Sequence, residues 1–160
     1  MPIRNLSPEV LADAISNVTS VSEKYENHAN NTKAIQLHQP GTKSAMLETL
    51  GRCNDEKTCE IGAVLAGGIS RQLQLINGDL LNRRIADPAG RLNGMLKSGQ
   101  QDEGIIAELY LRCFARKPNE IENRFWLSQL SQSPDQSSRN NIFEDLTWSL
   151  LTCREFTTNH

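Results

Sequence analysis

The sequence has few aromatic residues, no long apolar run and a net charge close to zero. Aromatic residues make up 5% and hydrophobic residues 38% of its 160 residues. Both fractions are low for a self-sufficient domain, yet too high for a disordered chain. Because no run reaches the roughly 18 apolar residues of a membrane-spanning helix, we expect no membrane insertion. A formal net charge of −2 gives no electrostatic reason to bind nucleic acid or an anionic membrane surface.

The sequence also lacks the cysteine motifs that hold cofactors. It has four cysteines, but no Cys-x-x-Cys-His motif and no Cys-x-x-Cys pair. The first absence excludes c-type haem attachment to this chain, and the second argues against a zinc ribbon or finger. We therefore expect no cofactor here. Cys113 and Cys153 lie on the apolar faces of two predicted helices, where we expect them to act as small buried hydrophobes.

Residues 1–100 predict one clear helix, a long connector and several shorter helices. Ser7 caps a helix that starts at Pro8 and runs to about Thr19. Residues 21–44 have little apolar pattern and predict an extended connector with a short apolar anchor at residues 34–37. A connector of this length is unusual in an isolated compact domain, so we expect a piece of a larger protein. Further helices are predicted at residues 61–76, 80–85 and 90–96.

Residues 101–160 contain three amphipathic segments separated by proline- and serine-rich loops. Asp102 and Asn119 are the predicted caps of the first two helices, and the third runs from about Ser138 to Cys153. The apolar face of the second is predicted to be Ile121, Phe125, Trp126 and Leu130. Short connections favour antiparallel neighbours, so the sequence predicts an antiparallel three-helix unit. The fold class is all-α, and residues 1–100 and 101–160 are expected to form one irregular helical domain.

Charged side chains in the last third suggest acid–base chemistry but favour a structural interpretation. Glu144, Asp145 and Glu155 could supply paired carboxylates. However, Glu144 and Asp145 are adjacent on a helix and point about 100° apart. Arg112 and Arg116, four residues apart on a neighbouring helix, could pair with them. We therefore expect a structural network of ion pairs and caps.

Both tryptophans also have two interpretations. Trp126 and Trp148 could form a platform on which a sugar ring stacks. Tryptophans at such positions more often pack at the edge of a core, with the indole N–H bonded to a partner, and this is the interpretation we favour.

Four sequence segments, in order along nearly the whole chain, resemble a known family. They are Pro2-Ile3-Arg4 with Leu6-Ser7 and Asp13-Ala14-Ile15, Leu75 to Asn82, Leu109-Tyr110-Leu111-Arg112 with Ala115 to Pro118, and Glu144 to His160. Together they resemble the C-terminal part of the planctomycete-type domain-of-unknown-function family numbered 1553. The chain departs from the family pattern at Lys117, at Cys113 and at Thr152-Cys153.

The resemblance implies the end of a much longer exported or surface protein, often with a cytochrome-c-like domain far upstream. Haem is then expected only in that upstream domain, and the location would be extracytoplasmic. The family has no established catalytic residues. It commonly has a cysteine-bearing loop where Cys53 and Cys59 lie, with five residues between them. A disulfide, a metal clip and two free thiols are the alternatives for this pair.

The expected function is that of a non-catalytic, C-terminal helical module of a larger extracytoplasmic protein, packed against an upstream domain of the same polypeptide or a protein partner. One alternative is a part of a hydrolase or redox enzyme that acts on polysaccharide. Another is a carbohydrate- or protein-binding module that uses Trp126 and Trp148.

Overall fold

The chain folds as an all-α structure in a computed structural model that describes residues 4–37, 42, 44–52 and 78–159. Within these residues, the helices are α1 (Pro8–Thr19), α2 (Ala45–Thr49), α3 (Asp79–Ile85), α4 (Arg91–Lys97), α5 (Asp102–Phe114), α6 (Glu120–Ser131), α7 (Gln136–Thr152) and α8 (Arg154–Thr157), with a 3-10 helix at Ala34–Gln36. Two short strands, β1 (Arg4–Asn5) and β2 (Thr158–Asn159), lie near the two ends of the chain. The predicted helix at 61–76, and both Cys53 and Cys59, lie outside the described residues.

The three helices of the predicted C-terminal unit are α5, α6 and α7, and they pack pairwise against one another. Helix α1 packs on α5, and α3 and α4 pack on α7. The core is therefore shared by the first and last parts of the chain. Its fully buried side chains include Leu11, Ile15, Ile105, Phe143 and Leu146.

The described part of the connector after α1, up to Leu37, contains turns and a 3-10 helix rather than one extended run, and polar contacts hold it near both of its ends. The Asp13 carboxylate accepts the backbone N–H groups of Ala34 and Ile35 at 2.7 and 3.1 Å, which fixes the 3-10 helix against α1. At the other end, the buried guanidinium of Arg84 donates to the Val21 carbonyl at 2.7 Å and pairs with Glu23. Of the predicted anchor, Ala34 is buried and Ile35 is exposed.

The two ends of the described chain are joined by main-chain pairing. Arg4 and Asn5 of β1 lie antiparallel to Asn159 and Thr158 of β2. The Leu6 N–H also donates to the Thr157 carbonyl at 3.0 Å. The pairing brings residues more than 150 positions apart into contact.

Two sequence expectations for the three-helix unit are wrong. Asp102 is not a cap, because Gln101 occupies that position and the Asp102 carboxylate instead pairs with Arg139 of α7. Ile121 and Phe125 do not face the core, since 79% and 52% of their surfaces are exposed. No helix among the described residues is both long enough and apolar enough to cross a membrane.

Candidate functional site

Helix α6 presents an apolar outer face because its own geometry turns two large side chains away from the core. Asn119 caps the helix, and its side chain accepts the Glu122 N–H while Glu122 accepts the Asn119 N–H. At about 100° per residue, Ile121 lies about 180° around the helix from buried Leu130. Phe125 lies one turn after Ile121, on the same side. We call Ile121, Phe125 and the exposed Arg124 and Ser128 beside them the α6 outer face.

The orientation of α6 is fixed from the inside by Trp126. Its indole N–H donates to the Tyr110 hydroxyl of α5 at 3.3 Å, and its ring meets the Phe125 ring edge-on at 5.0 Å. Leu130 is buried in the core, and Leu127 is partly buried against it. The outer face is therefore a consequence of fixed packing, in which Trp126 faces inward and Phe125 faces outward.

Arg116 joins the end of α5 to the starts of α6 and α8. Its guanidinium donates to both oxygens of Glu122, each at 2.9 Å, and to both oxygens of Glu155, at 2.8 and 3.0 Å. It also lies 5.5 Å from the Tyr110 ring centroid and 5.2 Å from that of Phe114, within the range of a cation–π contact. We call these residues the Arg116 cluster.

The hydrogen bonds of the Arg116 cluster change the acidity of its members. Hydrogen bonds to Glu122 and Glu155 raise the pKa of Arg116 above its usual value. Hydrogen bonds from Arg116 lower the pKa of Glu122. A carboxylate held ionised in a bidentate pair is a poor proton donor at neutral pH, so the cluster is suited to fastening helices rather than to acid–base chemistry.

The predicted ion-pair network is present only in part. Arg116 pairs with Glu155, and both residues belong to the expected network. Arg112 pairs with Glu108 of its own helix at 2.8 Å. Within the part of the chain that the structure describes, neither arginine pairs with Glu144 or Asp145, and that expectation is wrong.

Glu144 and Asp145 instead line a cleft between α3 and α7. Asn82 and Ile85 of α3 form one wall, and Glu144, Asp145 and Trp148 of α7 form the other. The cleft has a volume of about 510 Å³. Burial, with a smaller effect from the Asp145 charge, raises the pKa of Glu144. We call this site the α3–α7 cleft.

The two tryptophans occupy different places. Trp126 lies in the α5–α6 interface and Trp148 lies in the α3–α7 cleft, and both are partly buried against the core. Among the ring contacts of the described residues, Trp126 pairs with Phe125 and not with Trp148. This arrangement agrees with packing at the core edge, which the sequence favoured over a shared sugar platform.

Cys113 and Cys153 are free thiols that are partly buried. Burial, assisted by the nearby Cys153, raises the pKa of the Cys113 thiol to about 12. Cys153 donates its S–H to the Leu150 carbonyl at 3.2 Å. A thiol that resists ionisation is a weak nucleophile, so Cys113 fits the expected role of a small hydrophobe, although neither cysteine is fully buried and Cys153 lies at the C-cap of α7 rather than within it.

The α3–α7 cleft was missed at the level of sequence. The sequence feature that points to it is a pair of spacings. Glu144 and Trp148 are four residues apart on α7, and Asn82 and Ile85 are three residues apart on α3. Such spacings place side chains on one face of a helix. They do not say that the two faces meet, which depends on how α3 packs on α7.

Comparison of the chain with protein-family models, with curated proteins and with solved structures gave no match in any of the three. The family resemblance therefore stays a prediction, and the function has to be argued from the residues themselves.

Proposed function

We propose that this chain is a non-catalytic helical module that docks through its α6 outer face onto a folded domain of the same, longer extracytoplasmic polypeptide. The observation that carries the proposal is the exposure of Ile121 and Phe125, at 79% and 52%, on one side of a helix. Adjacent, rigidly held apolar side chains favour a protein contact over water.

Three further features support a docking role. The α6 helix is fastened at its start by the Arg116 cluster and along its length by Trp126, so the outer face is preorganised. Preorganised side chains lose little conformational entropy on binding. Arg124 and Ser128 flank the apolar pair and supply the polar rim that protein interfaces usually have. The resemblance supplies the occupant, an upstream domain of the same polypeptide.

The non-catalytic part of the proposal rests on the carboxylates. Glu155, one of the candidate acid–base groups, forms an ion pair with Arg116, which also binds Glu122. Glu144 and Asp145 are adjacent on α7, which is a poor arrangement for two carboxylates that must flank one scissile bond.

The test is photo-crosslinking from the α6 outer face in the cells that produce the protein. A photo-reactive amino acid at position 121 or 125 is expected to crosslink to another segment of the same polypeptide, identified by mass spectrometry. The matched control places it at exposed Asn141 of α7, where no crosslink to that segment is expected.

Two other results have clear meanings. A crosslink from position 121 or 125 to a separate protein would keep the docking role but replace the occupant. Equal crosslinking from positions 121 and 141, or none from either position on α6, would refute docking through this face. Ile121→Asp should abolish the specific crosslink from position 125 without lowering the free energy of unfolding, because the side chain is exposed.

A further inference from the structure

The α3–α7 cleft holds two carboxylates, Glu144 and Asp145, that form no ion pair with another residue of the described ranges. Within the described residues, Glu122, Glu155, Asp102 and Glu23 each pair with an arginine. No lysine or arginine of that same part lies within ion-pair distance of Glu144 or Asp145.

Among the described residues, the wall that α3 forms supplies no positive charge to the cleft either, although α3 contains two arginines. Arg83 is directed along its own helix to Asp79 at 3.2 Å. Arg84 is turned to the other side, where it pairs with Glu23 and donates to the Val21 carbonyl. The α3 residues that line the cleft are Asn82 and Ile85, which are both uncharged.

Trp148 lies between the two carboxylates on the surface of α7. At about 100° per residue, Trp148 is rotated about 40° from Glu144 and about 60° from Asp145, so the three side chains share one face. The indole ring has the strongest cation–π attraction of the aromatic side chains. The cleft thus combines a negative charge with an aromatic wall, and its volume of about 510 Å³ suits a small ligand group.

We propose that the α3–α7 cleft binds an organic cation, an alkylammonium or a guanidinium group, against Trp148, Glu144 and Asp145. A cation there would relieve the repulsion between the adjacent carboxylates and offset the burial that now raises the pKa of Glu144. A neutral sugar could stack on the indole but would leave the charge uncompensated, and an anion would be repelled. The site is separate from the α6 outer face and does not depend on the proposed docking role.

The experiment is an NMR titration of the indole N–H signals, because the chain has only two tryptophans. Trp148→Phe identifies the Trp148 signal. Butylammonium and butylguanidinium are the cationic probes, and butylurea is the neutral probe of similar shape. We expect a saturable shift of the Trp148 signal with both cations, an unchanged Trp126 signal, and no saturable shift with butylurea.

Charge variants make the test specific. Glu144→Gln combined with Asp145→Asn should weaken cation binding at least about tenfold, since it removes both carboxylates. Glu103→Gln combined with Glu120→Gln changes the net charge equally at exposed positions away from the cleft and should leave binding unchanged. Far-UV circular dichroism checks that each variant is folded.

The remaining outcomes decide the source and the class of ligand. Tighter binding of Gly-Lys-Gly or Gly-Arg-Gly than of the free cations would identify a protein side chain as the source, and the reverse would identify a small molecule. Equal or tighter binding of cellobiose would overturn the proposal in favour of a sugar site. Equal weakening by both pairs of charge variants, or no saturable shift with either cation, would also overturn it.

Discussion

Replacing Arg116 tests whether one side chain fastens three helices. Arg116→Ala removes two bidentate ion pairs and two cation–π contacts. About a third of the surface of Arg116 and of Glu155 is exposed, so each pair is worth only about 0.5 kcal/mol. The ring contacts add about 0.5 kcal/mol each at such a site. The expected loss in the free energy of unfolding is therefore about 2 kcal/mol.

Two further variants serve as comparisons for the loss of stability expected of Arg116→Ala. Arg112→Ala removes only an exposed pair with Glu108 on the same helix, and should cost about 0.4 kcal/mol. Arg116→Lys keeps the charge but cannot donate to both carboxylates in parallel, so it should cost about 1 kcal/mol.

Urea unfolding followed by far-UV circular dichroism measures all three values, provided that the dependence of the free energy on urea is unchanged. We expect the loss in the free energy of unfolding to be largest for Arg116→Ala, smaller for Arg116→Lys and smallest for Arg112→Ala. A loss for Arg116→Ala no larger than that for Arg112→Ala would refute it, because the contacts to α6 and α8 would then contribute nothing measurable.

Three other predictions concern the core, the response to pH and a thiol. Phe143→Ala should cost about 4 kcal/mol in urea unfolding because the ring is fully buried, whereas Phe125→Ala should cost under about 0.5 kcal/mol. The folded-state pKa of Glu122 lies below its ordinary 4.5, so its stabilisation is fully present above pH 4.5 and is lost as the pH falls through the folded-state pKa. The difference in the free energy of unfolding between wild type and Arg116→Ala should therefore shrink as the pH is lowered below 4.5. With a pKa near 12, Cys113 should react with iodoacetamide at pH 8 at least about a hundredfold more slowly in the folded chain than in urea, as followed by peptide mass spectrometry.

Local signals in the sequence predicted the helices well. Ser7 and Asn119 cap α1 and α6 as expected, since a cap depends only on residues within one turn. Asp102 was mispredicted as a cap because its actual partner, Arg139, lies 37 positions away. A pattern of neighbouring residues cannot predict an ion-pair partner that lies so far away in the sequence.

The outer face of α6 shows a second limit. Ile121, Phe125, Trp126 and Leu130 are all apolar, and the sequence analysis put them on one face. They span about half of the helix circumference, so only part of the set can face the core. Trp126 is the aromatic residue of the set that faces inward, and its indole N–H finds there the hydrogen-bond partner that it needs when buried, the Tyr110 hydroxyl.

The carboxylates show most clearly what packing adds. Glu122 and Glu144 belong to similar amphipathic helices, yet one is neutralised by Arg116 and the other shares a cleft with Asp145 and Trp148. Arg116 follows the end of α5 and reaches Glu122 from there, whereas the lack, among the described residues, of an arginine beside Glu144 follows from the register of α3. Rotating α3 by one residue, about 100°, would turn the side on which Arg83 or Arg84 lies toward α7. The buried contacts of Arg84 with Glu23 and Val21 hold α3 in the register that leaves the cleft negative, so an arginine outside the cleft determines the charge within it.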